Sequence, residues 1–303
     1  MLTPRHGEGP TWIALAACYA LYGALTATAA DIPFGLGYVA LAVVIAFHSS
    51  LQHEIIHGHP TSSKALNEAL VFFPLGLSFP FERYRDLHLA HHQDNRLTDP
   101  YEDPESWYLD PAVWARTSHP MRLLLIVNNT ALGRMLIGPG LGFIRFAISD
   151  AKEGFAGRRD IRRAWGLHAL GAVPVVLWLA YAGVSPLPYA LACYGGLSLI
   201  NLRSFLEHRA EERVRGRSAI VEDGGVLSLL YLNNNLHAVH HAHPDLAWAR
   251  IPAHYREHKG RFLEMNGGYF FPSYWDVLRR HAVTPKEPPA HPLMSSLGRT
   301  PAE

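Results

Sequence analysis

The chain contains, at residues 32–60, the stretch IPFGLGYVALAVVIAFHSSLQHEIIHGHP. Its first two thirds hold His48 as the only ionisable group and are long enough to cross a bilayer, which takes about 20 apolar residues. We expect the helix to continue through His53 and His57 and to end at Gly58, because glycine suits a helix C-terminus and a proline follows two residues later. The stretch therefore predicts a transmembrane helix that ends in two histidines at the membrane surface.

Apolar stretches of similar length recur along the chain, and together they predict the fold. Trp12–Ala30 carries no charge, and Trp165–Val184 and Leu187–Leu202 follow a long polar middle segment. We predict an all-α integral membrane protein with four transmembrane helices in two hairpins, at about 12–30, 32–52, 165–184 and 187–203. Buried helices of a large soluble protein are the alternative, but nearly chargeless stretches in two tight pairs favour membrane spans.

Composition limits the class of protein. The chain has 303 residues, 49% of them hydrophobic, and a formal net charge of +1. These values favour neither a nucleic-acid-binding protein nor a disordered chain. We expect one membrane-embedded domain over residues 1–283 and, because of its prolines, an extended or disordered tail over 284–303.

The charges between the predicted spans orient them in the membrane. The turn after the first span holds Asp31 and no Lys or Arg, and the turn at 183–186 is uncharged. The middle segment, in contrast, holds Arg83, Arg85, Arg96, Arg116, Arg122, Arg134, Arg145, Lys152, Arg158, Arg159, Arg162 and Arg163. The positive-inside rule then places this segment and both termini in the cytoplasm, as in a multi-pass protein of a bacterial inner membrane.

Two further apolar stretches, one too short and one too interrupted by charge to span the membrane, must not cross it if this topology is correct. Residues 69–81 are few and contain Pro74 and Pro80, which predicts a re-entrant or interfacial hairpin. Residues 121–149 are interrupted by arginines, which predicts a segment along the inner membrane surface.

Histidines are clustered in a pattern that predicts a metal site. Three boxes read HEIIH, HLAHH and HAVHH, and one more histidine follows the fourth predicted span. Residues three or four apart lie on one face of a helix, so each cluster is expected to point its imidazoles the same way. Imidazole suits iron, copper, nickel or zinc, and this number of ligands is enough for two ions. The candidate ligands, all on the cytoplasmic side of the predicted topology, are His53, His57, His88, His91, His92, His208, His237, His240 and His241.

Other residues beside the boxes are weaker candidates. Acidic side chains close to the boxes are expected to accept hydrogen bonds from imidazole N–H groups; they are Glu54, Asp94, Asp99, Glu207 and Asp245. His48 lies on another face of its helix and is expected to be packed, whereas His59 and His243 lie just outside the helical spacing.

The first box also matches H-E-x-x-H, the zinc metalloprotease signature in which the glutamate acts as general base. A membrane protease would need only one more ligand and would leave most of the clustered histidines without a function. This alternative predicts that Glu54→Gln abolishes activity, whereas in an oxidase the same change would only weaken the support of a ligand.

The three boxes, together with FLEHR at 205–209, resemble those of the membrane fatty acid desaturase superfamily, over about residues 32–252. This resemblance implies a bacterial-type oxidoreductase in which a cytoplasmic helical cap holds two non-haem irons by the nine histidines named above. It also implies O2 as cosubstrate and two external electrons, supplied by a ferredoxin or rubredoxin with its reductase.

The resemblance leaves the reaction and the substrate open. Desaturation of a fatty acyl or lipid chain is the first expectation, and hydroxylation or ketolation of a carotenoid, another lipid or a small amphiphile is the alternative. No side chain can abstract hydrogen from an alkyl carbon, so in either case the oxidant comes from the metal and dioxygen.

Overall fold

The computed structural model describes residues 7–29 and 31–294, and within these ranges the side chains of Phe34 and Asp94 are not described. The described part is mostly helical. Its helices are α1 (Gly9–Thr28), α2 (Leu36–Ile56), α3 (Lys64–Leu70), α4 (Phe81–His91), α5 (Pro111–Arg116), α6 (His119–Asn128), α7 (Ala131–Leu136), α8 (Gly138–Phe155), α9 (Arg159–Tyr181), α10 (Pro186–Glu207), α11 (Val226–Leu230), α12 (His237–Ala242), α13 (Ile251–Met265) and α14 (Tyr274–His281). Two short parallel strands, β1 (Ile220–Val221) and β2 (Phe270–Phe271), pair Ile220 with Phe270.

Three of these helices, α1, α2 and α9, are long and apolar enough to cross a membrane. The fourth predicted span forms the 22-residue helix α10, which is not among them. Its last turns hold Asn201, Arg203 and Glu207, polar residues that the interior of a membrane disfavours. The mostly helical fold with apolar helices agrees with the prediction, whereas the four-span count stays a prediction.

Helix α2 is the centre of the bundle and packs against both α1 and α10. Its contact with α10 is close because small residues face each other: a Cβ at Gly196 would lie 2.9 Å from Ile45 Cγ2 and 3.1 Å from the Ala42 carbonyl oxygen. The end of α2 is as predicted, since Gly58 has a φ of 88° and its N–H donates to Ile55 O at 3.0 Å. The C-terminal ends of α2 and α10 thereby bring His53 and His208 to the same end of the bundle.

Residues 71–80 form no helix and enter the bundle between α1, α9 and α10. The Tyr189 hydroxyl donates to Leu75 O at 2.5 Å and accepts from the Tyr22 hydroxyl at 2.8 Å. The chain then returns to α4, and His88 and His92 of this helix join His53 and His57 in one cluster. As a re-entrant segment would, residues 71–80 leave the second box at the same end of the bundle as the first.

A glycine on α9 makes this packing possible and gives a test of it. A Cβ at Gly171 would lie 2.7 Å from the Phe72 carbonyl oxygen, a backbone atom, whereas a Cβ at Gly166 on the same helix would meet nothing within 4 Å. We expect Gly171→Ala to destabilise the protein by about 1–3 kcal/mol through overpacking. Gly166→Ala should be neutral or stabilising, and equal thermal unfolding midpoints of the two variants in detergent would contradict this packing.

The stretch predicted to lie along the membrane forms three helices, α6, α7 and α8, which expose many large apolar side chains; these include Leu123, Val127, Leu132, Leu136, Phe143, Ile144 and Ile148.

Part of the predicted tail is also described. Residues 284–294 run without helix across the site end of the bundle, where Leu109 N–H donates to Pro289 O and His291 N–H donates to Leu109 O, each at 2.8 Å. The rest of the predicted tail, 295–303, lies outside the described residues.

Candidate metal centre

All nine predicted histidines lie in two adjacent groups at the end of the bundle where α2 and α10 end. The first group holds five histidines, His53, His57, His88, His92 and His240, and the second holds four, His91, His208, His237 and His241. Within each group the candidate ligand atoms lie within 4.8 Å of one another. The structure thus places all nine histidines at one end of the bundle, whereas their assignment as metal ligands stays a prediction.

The expectation that all imidazoles of one histidine box point the same way is wrong. His88 and His92 of α4 join the first group, whereas His91 joins the second. The third box on α12 is divided in the same way. The reason is the helical repeat: residues four apart differ in direction by only about 40°, whereas the residue three along is offset by about 60° to the other side and so points about 100° away from its neighbour. Each H-x-x-H-H box therefore contributes to both groups.

Within each group, the Nε2 atoms of several imidazoles converge on a common position. In the first group, His88 Nε2 lies 3.1 Å from His57 Nε2 and 3.0 Å from His92 Nε2. In the second, His208 Nε2 lies 2.9 Å from His91 Nε2 and 3.0 Å from His237 Nε2.

Three of these histidines have a hydrogen-bond acceptor at Nδ1, the ring nitrogen that points away from the group. His88 Nδ1 lies 2.9 Å from Glu105 Oε1, and His91 Nδ1 lies 2.8 Å from Asp103 Oδ1. His237 Nδ1 is likewise 3.0 Å from the Asn234 amide oxygen. Carboxylate and amide oxygens only accept, so Nδ1 of His88, His91 and His237 carries a proton, and the Nε2 lone pairs of these rings in their neutral form point into the groups. This is the tautomer in which Nε2 can bind a metal, and the acceptors hold the rings in that orientation.

The spacing also fits the size of a bound ion. Two nitrogens that bind one ion at about 2.1 Å lie about 3.0 Å apart at a right angle and about 3.4 Å apart at a tetrahedral angle. The shortest observed distances, 2.9–3.1 Å, are near the right-angle value, and the other candidate ligand atoms of each group lie within 4.8 Å of one another. Nε2 of His53 is, in addition, buried without a hydrogen-bond partner in the described part of the chain. The residues therefore fit a pair of metal ions.

Asp103 and Glu105 were not among the acidic residues predicted to support the boxes. Asp103 is buried, and its Oδ2 also accepts from the Thr98 N–H at 2.8 Å, which fixes the loop that follows α4. The acidic run TDPYEDPE after the second box was the available signal, although nothing in it indicated which carboxylates fold back onto α4.

The predicted acidic residues lie in different environments. Glu207 is buried, with Oε1 2.7 Å from Arg203 Nε and 3.4 Å from His237 Nδ1, so it contacts a predicted ligand. Glu54 Oε1 instead accepts from the Trp248 N–H at 3.0 Å and lies 3.9 Å from His59 Nε2. Asp99 accepts from the Tyr101 and Glu102 N–H groups. Asp245 is exposed, and the side chain of Asp94 lies outside the described residues.

The three histidines near the boxes lie outside both groups. His48 is buried, with Nε2 3.4 Å from the Tyr19 hydroxyl, as expected for a packed residue. His59 Nδ1 lies 2.6 Å from Glu8 Oε1, which links the start of α1 to the first box. His243 is exposed and packs against the ring of His254, with the centroids 4.7 Å apart.

A cavity of about 440 Å³ lies beside the two groups of histidines. His208 of the second group lines it, and so do Asp103 and Glu105, the carboxylates that contact His91 and His88. Polar and charged side chains line much of it, among them Gln52, Arg83, Tyr84, Glu105, Arg134, Arg145, Arg203, Glu207 and Lys286. An apolar cavity of about 540 Å³ between α8, α9 and α10 shares Leu197 with it.

Apolar helices that end in two groups of largely buried imidazoles are features of a membrane protein with histidine clusters that could hold metal ions. The model of the fatty acid desaturase family matches residues 30–273, so the chain belongs to this family. Membership implies an oxidoreductase of the membrane desaturase and hydroxylase type. No curated protein matches the sequence.

Proposed function

We propose that this protein is an O2-dependent diiron oxidoreductase of the membrane that desaturates an aliphatic chain, most simply a fatty acyl or lipid chain. The observation that carries the proposal is the convergence of five and four imidazoles whose candidate ligand atoms lie within 4.8 Å of one another in each group. Five pairs of Nε2 atoms among them lie only 2.9–3.1 Å apart. Iron suits imidazole ligands and accepts the near-right angles of this spacing, whereas structural zinc prefers tetrahedral angles. The family match supports the same conclusion.

The two irons would be held by the five-histidine group and the four-histidine group. When bound, they would supply the activation of dioxygen that removes hydrogen from an unactivated C–H bond. Glu105 and Asp103 keep the protons of His88 and His91 on Nδ1, so that Nε2 stays available as a ligand. The buried packing of His53, His237 and His240 excludes bulk water from the ligand atoms.

Hydroxylation or ketolation of a carotenoid, another lipid or a small amphiphile is the second candidate. The same metal pair serves both outcomes, and they differ in whether a second hydrogen is removed or oxygen is added to the substrate. The 440 Å³ cavity combines a largely apolar lining with several charged side chains, which favours an amphiphilic molecule over a purely apolar one.

A zinc protease has less support from the geometry. Its general base would be Glu54, but Oε1 of this residue accepts a hydrogen bond from the Trp248 backbone. Four histidines in a separate group would also have no role.

The proposed setting is an inner membrane crossed four times, with both termini and the histidine groups in the cytoplasm. The uncharged turn at 183–186 and the arginines of the middle segment support this orientation. A separate electron donor, a ferredoxin or rubredoxin with its reductase, would dock on the cytoplasmic side, where basic side chains attract an acidic partner.

Mass spectrometry of lipids and metabolites tests the proposal. Cells that express the chain are compared with cells that express His240→Ala, and we expect a species lighter by two hydrogens only with the former. A species heavier by one oxygen would move the protein to the hydroxylase class. The absence of any new species under aerobic growth with iron, or an equal amount in both strains, would contradict the proposal.

A further inference from the structure

The cavity beside the metal groups contains positive charge that the protein itself does not neutralise. Arg134 lines this cavity, is 3% exposed, and has no carboxylate within 4.0 Å in the described part of the chain. Its Nε donates to Asn128 O at 3.0 Å, and its guanidinium lies 4.2 Å from the centroid of the Trp107 ring. Burial lowers the pKa of Arg134 to about 9, and the group therefore remains charged at neutral pH.

The carboxylates that line the cavity are already engaged elsewhere. Asp103 and Glu105 hold His91 and His88, as described above. Asp150 forms an ion pair with Arg83 at 2.9 Å, and Glu207 forms one with Arg203. Arg145 adds a second guanidinium, which donates to Ser106 O at 2.8 Å and, among the described residues, has no ion-pair partner.

The charge lies close to the metal groups. Lys286 lines the same cavity, and its Nζ donates to the backbone oxygen of His208, a residue of the four-histidine group. Burial lowers the pKa of the Lys286 amine to about 8, and the nearby charge of Arg134 adds to this effect while Glu287 opposes it. A group bound at Arg134 is therefore separated from the metal site by only a few side chains.

We infer that Arg134, assisted by Arg145, binds the anionic head group of the substrate, and that the substrate is a compact amphiphile with a carboxylate or phosphate. This inference rests on the proposed function, because it assigns the molecule on which the metal site acts. A buried guanidinium without a counter-charge is costly, and an anion supplied by the ligand removes this cost. The cavity volume of about 440 Å³ is near the lower end for small-molecule sites. Leu197 lines both this cavity and the apolar one, so the apolar part of the substrate can extend towards the apolar cavity.

Binding of three short probes tests the inference without turnover. Hexanoate, hexyl phosphate and hexan-1-ol have the same chain, and they are titrated by calorimetry into the metal-loaded protein in an uncharged detergent. We expect at least one anion to bind about 10-fold or more tightly than the alcohol, as for a charge-assisted hydrogen bond. The anion that binds more tightly identifies the head group as carboxylate or phosphate.

A matched pair of arginine variants assigns the preference to this site. Arg134→Met should reduce the preference for the anion to within about 3-fold. Arg122→Met is the control, because Arg122 also donates to backbone oxygens and stacks on a tryptophan, Trp114, but does not line the cavity. Arg145→Gln gives a second test. Because Arg145 is exposed, its loss should weaken binding of the anion by only about 3-fold.

Three results would overturn the inference: alcohol bound as tightly as both anions, no binding of any probe, or an unchanged preference in Arg134→Met. The comparison of probes on the unmodified protein needs no variant, so a variant that does not fold leaves the test intact. Binding and product formation are measured separately. A protein that forms the product without anion preference would contradict only this inference, and one that binds anions without iron-dependent turnover would contradict only the proposed function.

Discussion

Replacing His237 with alanine is expected to reduce the metal content from two ions to about one per chain and to reduce product formation below about one hundredth of the unmodified protein. His237 belongs to the group of four histidines, and its loss leaves three imidazoles for that ion. Because even the loss of a residue that supports a ligand costs 10–100-fold in metal affinity or activity, loss of the ligand itself should cost more. Elemental analysis of the purified protein in detergent measures the first effect, and mass spectrometry of the product measures the second.

The two groups should respond differently to the same change. His57→Ala leaves four imidazoles in the five-histidine group and is expected to retain more metal than His237→Ala. His243→Ala is the matched control, because His243 follows the same box but is exposed and lies outside both groups. If His237→Ala kept two ions, or if His243→Ala lost as much metal, the assignment of the four-histidine group would be wrong.

Local patterns in the sequence were sufficient to predict the long apolar helices and to identify the histidines that cluster. The predicted spans at 12–30 and 32–52 correspond to Gly9–Thr28 and Leu36–Ile56, because unbroken apolar runs and the Gly58 stop are visible in a few neighbouring residues. The boxes were recognised for the same reason, since the spacing of ligands on one helix is a local property.

Contacts between distant segments could not be read in this way. The pairing of His91 with Asp103 depends on a loop that folds back onto α4, and the packing of residues 286–291 beside Leu109 joins segments far apart in the chain. Proline content alone indicated an irregular segment there and gave no information on what it contacts. Arg134 illustrates the same limit, because in the sequence it is one of many arginines assigned to membrane orientation. Only the fold brings it to a buried position in the cavity.

The second large effect is expected at Glu105, which the sequence did not single out. Its Oε1 lies 2.9 Å from His88 Nδ1 and fixes the ring that contributes to the five-histidine group. Glu105→Ala removes this acceptor and should lower metal affinity about 10–100-fold, measured as the chelator concentration that removes half of the metal.

Glu105→Gln separates hydrogen bonding from charge. Glutamine keeps an acceptor oxygen for His88 Nδ1 but loses the negative charge, so its metal affinity should lie between those of the alanine variant and the unmodified protein. Glu153→Gln is the control, because it removes an equal charge from an exposed pair with Arg158 on the surface of α8. A residue that only maintains the fold would lower the unfolding midpoint and the metal affinity together. Glu105→Ala with normal metal affinity would show that Asp103, Asn234 and the packing of the rings are sufficient to hold the imidazoles, and the role assigned to the Glu105 carboxylate would be rejected.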